Sequence, residues 1–299
     1  MRVTFLAIGF LALVASLPVS AETIDISDAP PYPALYEPDS LGGEPDFVLM
    51  GADLVEIAVA LGGADRILAR PDSIELPGID GTPNKVREWA GVEGVLAMRP
   101  EVTIGSSAPN VRLIEGLRAL GQRAEIIDRT LPPADKVRRM AEILGAPERG
   151  EALVQAIQAD YAQASELKRP GHPLRLVHAS RMGAGTSFTA GGSATAVDNL
   201  IARVGALNAA AAVGRDRYRP VTPEGVLQMA PDVLLIAESE LASFGGIDGM
   251  WSSYPGLALT PAGQRRNVIV MRDLHVRSDA ASSGIATVAL AKALSEIAP

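Results

Sequence analysis

The sequence predicts an α/β protein of two similar lobes, each built on a mostly parallel sheet, with a long helix between them. Three observations carry this. Short apolar runs alternate with helical segments along most of the chain. A run rich in Ala, Glu, Gln and Leu extends without interruption from Glu148 to Lys168. A twelve-residue unit, moreover, recurs 131 positions later.

The first twenty-one residues stand apart. Arg2 is their one charge, an apolar stretch runs from Phe5 to Leu17, and Val19-Ser20-Ala21 offers small residues for cleavage. That layout is a secretory signal, and the stretch is short against the ~20 residues a membrane span needs. Residues 22–45 hold five prolines and six acids with no basic residue, so this segment is expected to be a loose arm. With no cysteine, the chain has no disulfide, thiolate metal site, cysteine nucleophile or lipidated N-terminal cysteine. A free periplasmic location follows as the expectation. The net charge of −8 argues against nucleic acid, whose affinity rests on neutralised phosphates.

Order is expected to begin at the strand Phe47-Val48-Leu49-Met50. A helix follows to Gly62-Gly63, with Asp53 placed to cap it. Then come a helix over Glu93–Met98, a strand at Val102–Ile104, a helix over Val111–Leu120 and a strand over Ala124–Ile127. These belong to an N-terminal lobe of residues 46–146. The connecting helix, residues 147–169, is stopped by Pro170-Gly171; its twenty-one residues Glu148–Lys168 would reach roughly 31 Å at ~1.5 Å each. Leu174–His178 restarts the alternation in a C-terminal lobe of residues 170–299, with a helix over Ala196–Val204.

The repeat decides the architecture. Glu93-Gly94-Val95-Leu96-Ala97-Met98-Arg99-Pro100-Glu101-Val102-Thr103-Ile104 returns as Glu224-Gly225-Val226-Leu227-Gln228-Met229-Ala230-Pro231-Asp232-Val233-Leu234-Leu235, with seven of twelve positions identical. Each copy reads as a short helix stopped by Pro, an acidic turn and a buried strand. Two such units flanking a long helix imply two lobes.

These stretches, with Gly51-Ala52-Asp53-Leu54-Val55-Glu56-Ile57, Phe188-Thr189-Ala190-Gly191-Gly192, Tyr218-Arg219-Pro220-Val221-Thr222-Pro223-Glu224 and Tyr254-Pro255-Gly256-Leu257-Ala258-Leu259-Thr260-Pro261-Ala262-Gly263, carry a resemblance. From about Phe47 to the C-terminus the chain resembles the periplasmic binding proteins of metal-chelate ABC importers, which serve hemin, ferric siderophores and cobalamin. Gly245-Gly246-Ile247-Asp248-Gly249 and Leu259-Thr260-Pro261-Ala262-Gly263 look closest to the hemin-binding branch. The resemblance implies two Rossmann-like lobes joined by a single long helix, a ligand cleft between them, and a monomer that serves an inner-membrane permease and its ATPase. It also implies that Glu93 and Glu224 dock on the permease. Equivalent carboxylates in two repeated lobes make separated anchors that set orientation and capture rate; the plainer reading is acids suited to a helix dipole.

The chain departs from this group where the group's iron-binding tyrosine is expected: Asp72-Ser73-Ile74-Glu75-Leu76-Pro77 puts Leu76 there. Either the ligand differs, a ferric siderophore or a cobamide in place of hemin, or another residue meets the metal. His275 and Tyr218 are the two candidates, His275 first, since a neutral imidazole binds a metal without losing a proton whereas a phenol must lose one. The cleft set is Arg87, Trp89, Arg181, Met182, Tyr218, His275 and Arg277, with Arg215 and Arg217 in looser association. Arginines suit ligand carboxylates, and Trp89, Met182 and Tyr218 suit a flat apolar body. His172 reads as a solvated linker residue, and His178 as either a core or a cleft histidine. Three scattered histidines exclude a dedicated zinc site. The Gly183–Ser187 and Gly191-Gly192-Ser193 stretches lack the P-loop pattern and read as turns that let backbone approach a ligand. Enzyme activity is not expected, since Gly191-Gly192-Ser193-Ala194-Thr195 lacks the last glycine of a hydrolase nucleophile elbow.

Overall fold

A computed structural model describes residues 23–87, 90–167, 171–181 and 188–297. The N-terminal signal lies outside them, as do Trp89 and Met182. The described residues form two sheets. One has five parallel strands in the order β4-β3-β2-β5-β6, where β2 is Phe47–Met50, β3 Ile67–Pro71, β4 Asn84–Val86, β5 Val102–Gly105 and β6 Ala124–Ile126. The second runs β1-β12-β11-β7-β8-β10, with β9 paired to β7. Its strands are β1 Thr23–Asp25, β7 Arg175–Ser180, β8 Phe188–Gly191, β9 Leu207–Asn208, β10 Tyr218–Val221, β11 Val233–Ala237 and β12 Val268–Met271. Among the described strands, the antiparallel pairings are those of β8 with β7 and with β10. Strands β2, β5, β11 and β12 are buried along their whole length, as their unbroken apolar runs require of sheets covered on both faces.

The repeat is structural to the residue. The helix Val92–Ala97 and the helix Pro223–Met229 start 131 positions apart, and so do β5 and β11. Both helices end in a left-handed residue before proline: Arg99 at φ 56° and Ala230 at φ 45°. That turn aims the chain from helix to strand in each lobe.

The connecting helix spans Pro147–Glu166 and packs on the C-terminal helix Ser283–Glu296. It is not the lobes' one link. The expected loose arm is ordered, because its isolated apolar residues find partners far away in sequence. β1 adds a parallel strand beside β12, and Tyr32 is buried in the N-terminal core. Tyr36 stacks under the Arg149 guanidinium, and the Leu41 amide bonds the Gly62 carbonyl at 2.7 Å. The arm thus crosses between the sheets a second time.

A third tie runs through Glu56. It sits on the first helix, Ala52–Ala60, with no exposed surface. Its carboxylate accepts the Ser278 hydroxyl at 2.5 Å and the Ser282 amide. The same segment is held by Tyr161 through Ser283, and by Asn199 and Arg203 through Asp279. Leu274, Ala280 and Ala281 lie in the N-terminal core. Asp53 does not cap its helix, whose N-cap is Gly51 without a side-chain bond. Its carboxylate turns instead to the buried ammonium of Lys136, 3.5 Å away.

Candidate ligand-binding cleft

In parallel sheets the loops after the strands' carboxyl ends line the binding crevice. In the first lobe these are the segments after β2, β3, β4, β5 and β6; in the second, those after β7, β11 and β12. Arg87 follows β4 and is exposed. The loop after β3 is folded inward: Ile74 and Leu76 are buried, and the Arg70 guanidinium ties down the carbonyls of Pro71 and Ile74. Leu76 is a core residue and offers no donor.

The second lobe assembles a polar cluster from distant residues. His178, on the same face of β7 as Ser180, is fully buried, and its Nδ1 pairs with the Tyr218 hydroxyl at 2.9 Å. Burial, reinforced by the Arg277 charge, lowers the His178 pKa to about 3, so the ring is neutral. Burial raises Tyr218 to about 12, opposed by the charges of Arg277 and Arg129. Glu240 is the hub. Its Oε1 accepts the Ser180 hydroxyl at 2.7 Å, the Arg181 amide at 3.1 Å and the Arg277 guanidinium at 2.7 Å. Arg277 is further tied by Asp273 at 3.3 Å and remains partly open to solvent. Its charge is therefore already matched by two carboxylates.

His275 is placed differently from the expectation. It is 2 % exposed, beneath the ordered arm. Its Nε2 lies 3.0 Å from the Pro30 carbonyl, an acceptor only, so Nε2 carries the proton. The lone pair left on Nδ1 is buried without a partner, and burial lowers the pKa to about 4. The ring anchors the arm and presents no donor to an open cleft. His172 is exposed, as a linker residue would be.

The Gly191-Gly192 stretch also serves the protein itself. A Cβ on Gly192 would stand 2.2 Å from the Arg215 carbonyl oxygen, so glycine here lets two backbone segments meet, not a ligand. Arg215 turns back on the Pro220 carbonyl, and Arg217 is exposed in the same turn. Residues 183–187 lie outside the described residues.

One exposed residue at the carboxyl edge of the first sheet had not been nominated. Arg129 follows β6 on the loop whose amide bonds the Ser106 carbonyl, at the carboxyl edge of the first sheet. It is exposed, and its charge acts on Tyr218 of the other lobe. Reading Ala124–Ile127 as a parallel strand was signal enough, because the next residues of such a strand face the crevice. Among the described residues there is no cluster of three or more metal-binding side chains, and no helix is long and apolar enough to cross a membrane.

A family model described as periplasmic binding protein matches residues 48–274. The chain belongs to the periplasmic binding protein family. No curated protein matches it. Among solved structures, this periplasmic binding protein is similar to the apo form of the periplasmic heme-binding protein RhuT from Roseiflexus sp. RS-1, at 32% identity and a TM-score of 0.76, over 85% of this chain and 99% of that one. It is similar to the periplasmic heme-binding protein BhuT in complex with two hemes, at 28% identity and 0.75, over 85% and 99%. The periplasmic heme-binding protein HutB of Vibrio cholerae, at 24% identity and 0.71 over 83% and 97%, shares the fold.

Proposed function

We propose that this periplasmic binding protein captures hemin between its lobes and hands it to an inner-membrane ABC permease and its ATPase, as an exported monomer that performs no turnover. The observation that supports the ligand is the similarity, at 32% and 28% identity, to two heme-binding proteins over nearly their whole lengths. The cleft chemistry agrees with it. Arg87 and Arg181 lie at strand-end loops of opposite lobes, suited to the carboxylate edge of a flat amphipathic anion. Trp89 and Met182 adjoin the same loops and are proposed to cover its apolar body. For the iron, Tyr218 is the stronger of the two candidates. His275 would first have to break its bond to Pro30 and shed the arm, whereas Tyr218 is half-buried and lies within the field of Arg129 and Arg277.

Glu93 and Glu224 are proposed as the permease anchors. Both are exposed in the first turn of the repeated helix, and neither takes part in an ion pair among the described residues. Each helix leads from the edge strand of its sheet, β4 or β10, so the two carboxylates occupy equivalent positions in the two lobes. The Glu93→Ala, Glu224→Ala double variant is expected to lose hemin uptake by cells while its hemin affinity in solution stays within about twofold, since rim charges set encounter more than affinity. Wild-type uptake in that variant would remove the docking role.

A further inference from the structure

Resting on the hemin reading, we infer that Arg129 is a second carboxylate anchor of the first lobe, beside Arg87: its guanidinium pairs with an acidic substituent of the ligand and fixes which edge of the flat molecule faces this lobe. Four observations converge on it. Arg129 stands at the carboxyl end of β6, on the edge that lines the crevice of a parallel sheet. Its backbone is fixed on both sides, the amide bonding the Ser106 carbonyl at 2.8 Å and the carbonyl accepting the buried Lys136 ammonium at 3.2 Å. A long side chain thus projects from a rigid base.

Its guanidinium also has no direct partner among the described residues, although its charge acts on the neighbouring Asp128. That carboxylate is turned back on the amide and hydroxyl of Thr130, both at 2.8 Å. Arg277, by contrast, is held by Glu240 and Asp273 and has little attraction left for an incoming anion. The Arg129 charge reaches Tyr218 of the other lobe, where it favours the phenolate. An exposed arginine with a fixed base and no direct partner among the described residues matches bidentate recognition of a carboxylate.

The test compares hemin with hemin dimethyl ester, whose two propionates are neutral, in absorbance titrations of wild type, Arg129→Gln and Arg129→Lys. Arg129→Gln is expected to weaken hemin about ten- to a hundredfold, the range of a charged hydrogen bond. The ester's affinity should be unchanged within about twofold, and Arg129→Lys should restore part of the hemin affinity through charge without the two-pronged geometry. Equal weakening of hemin and ester by Arg129→Gln would overturn the assignment, as would no effect on either. Failure of the wild type to bind hemin or its ester overturns the hemin reading instead, and the inference with it.

Discussion

Tyr32→Ala is expected to lower stability by about 3–5 kcal/mol, the usual cost of truncating a buried aromatic side chain. Tyr32 is 4 % exposed and packs in the first lobe's core, although it comes from a segment with no basic residue and five prolines. Its hydroxyl donates to Glu37 at 2.6 Å, which closes the arm on itself. The neighbouring Pro30 carbonyl takes the His275 proton, and the Ala29 carbonyl takes the Arg272 guanidinium at 3.0 Å. Removing the ring therefore loosens a stretch of chain as well as leaving a cavity. At roughly 2–4 °C per kcal/mol for a protein of this size, the melting temperature should fall by about 10 °C. Tyr32→Phe keeps the ring and should recover most of it. A loss under about 0.5 kcal/mol would mean the arm is not docked in solution.

The second large effect is a pH dependence centred on Glu56. Burial raises its carboxyl to about 7, against the bonds from Ser278 and Ser282 and the Lys136 charge, which favour the anion. Asp53 lies on the same helix and is matched by Lys136. In the unfolded chain the group titrates near 4.5. The folded state therefore binds this proton more tightly, and its stabilising effect is complete below pH 4.5 and disappears as pH rises through 7. From pH 4 to pH 8 this group alone removes on the order of 3 kcal/mol. Glu56→Gln cannot titrate. The melting temperature of the wild type relative to Glu56→Gln should thus fall by roughly 5–10 °C between pH 5 and pH 8. A difference that stays constant over that range would show that Glu56 carries the same charge throughout.

Much of the fold was legible because its signals are local. The strand at Phe47 to Met50, the proline-stopped helix of the repeat and the long Ala-rich helix each declare themselves within a dozen or so residues. The prolines after Arg99 and Ala230 marked where the repeated helix stops, while the left-handed backbone of those two residues was not legible, since a following proline biases its neighbour to extended backbone. The arm was not legible, since Ile24, Ile26 and Tyr32 are scattered among polar residues and become ordered only against β12 and the first lobe's core. The same distance effect misled the reading of Asp53, whose carboxylate is drawn to Lys136 and away from its own helix end. His275 lies two residues before the half-buried Arg277, but its Nε2–H is donated to a carbonyl of the arm. His178 and Glu240 could not be joined from sequence; only the pairing of β7 with β11 brings them to one end of the sheet. Arg129 was within reach, because strand-end loops are where parallel sheets bind ligands.

Ferric hemin titrated into the purified wild type, Tyr218→Phe and His275→Ala, with the visible absorbance followed, tests the ligand and its iron partner together. The prediction is saturable binding by the wild type at micromolar hemin or below, loss of the bound-hemin band in Tyr218→Phe, and retention of that band in His275→Ala. No spectral change in the wild type would contradict hemin capture, and a band lost only in His275→Ala would mean that the arm gives way and the buried imidazole, not the phenol, meets the iron.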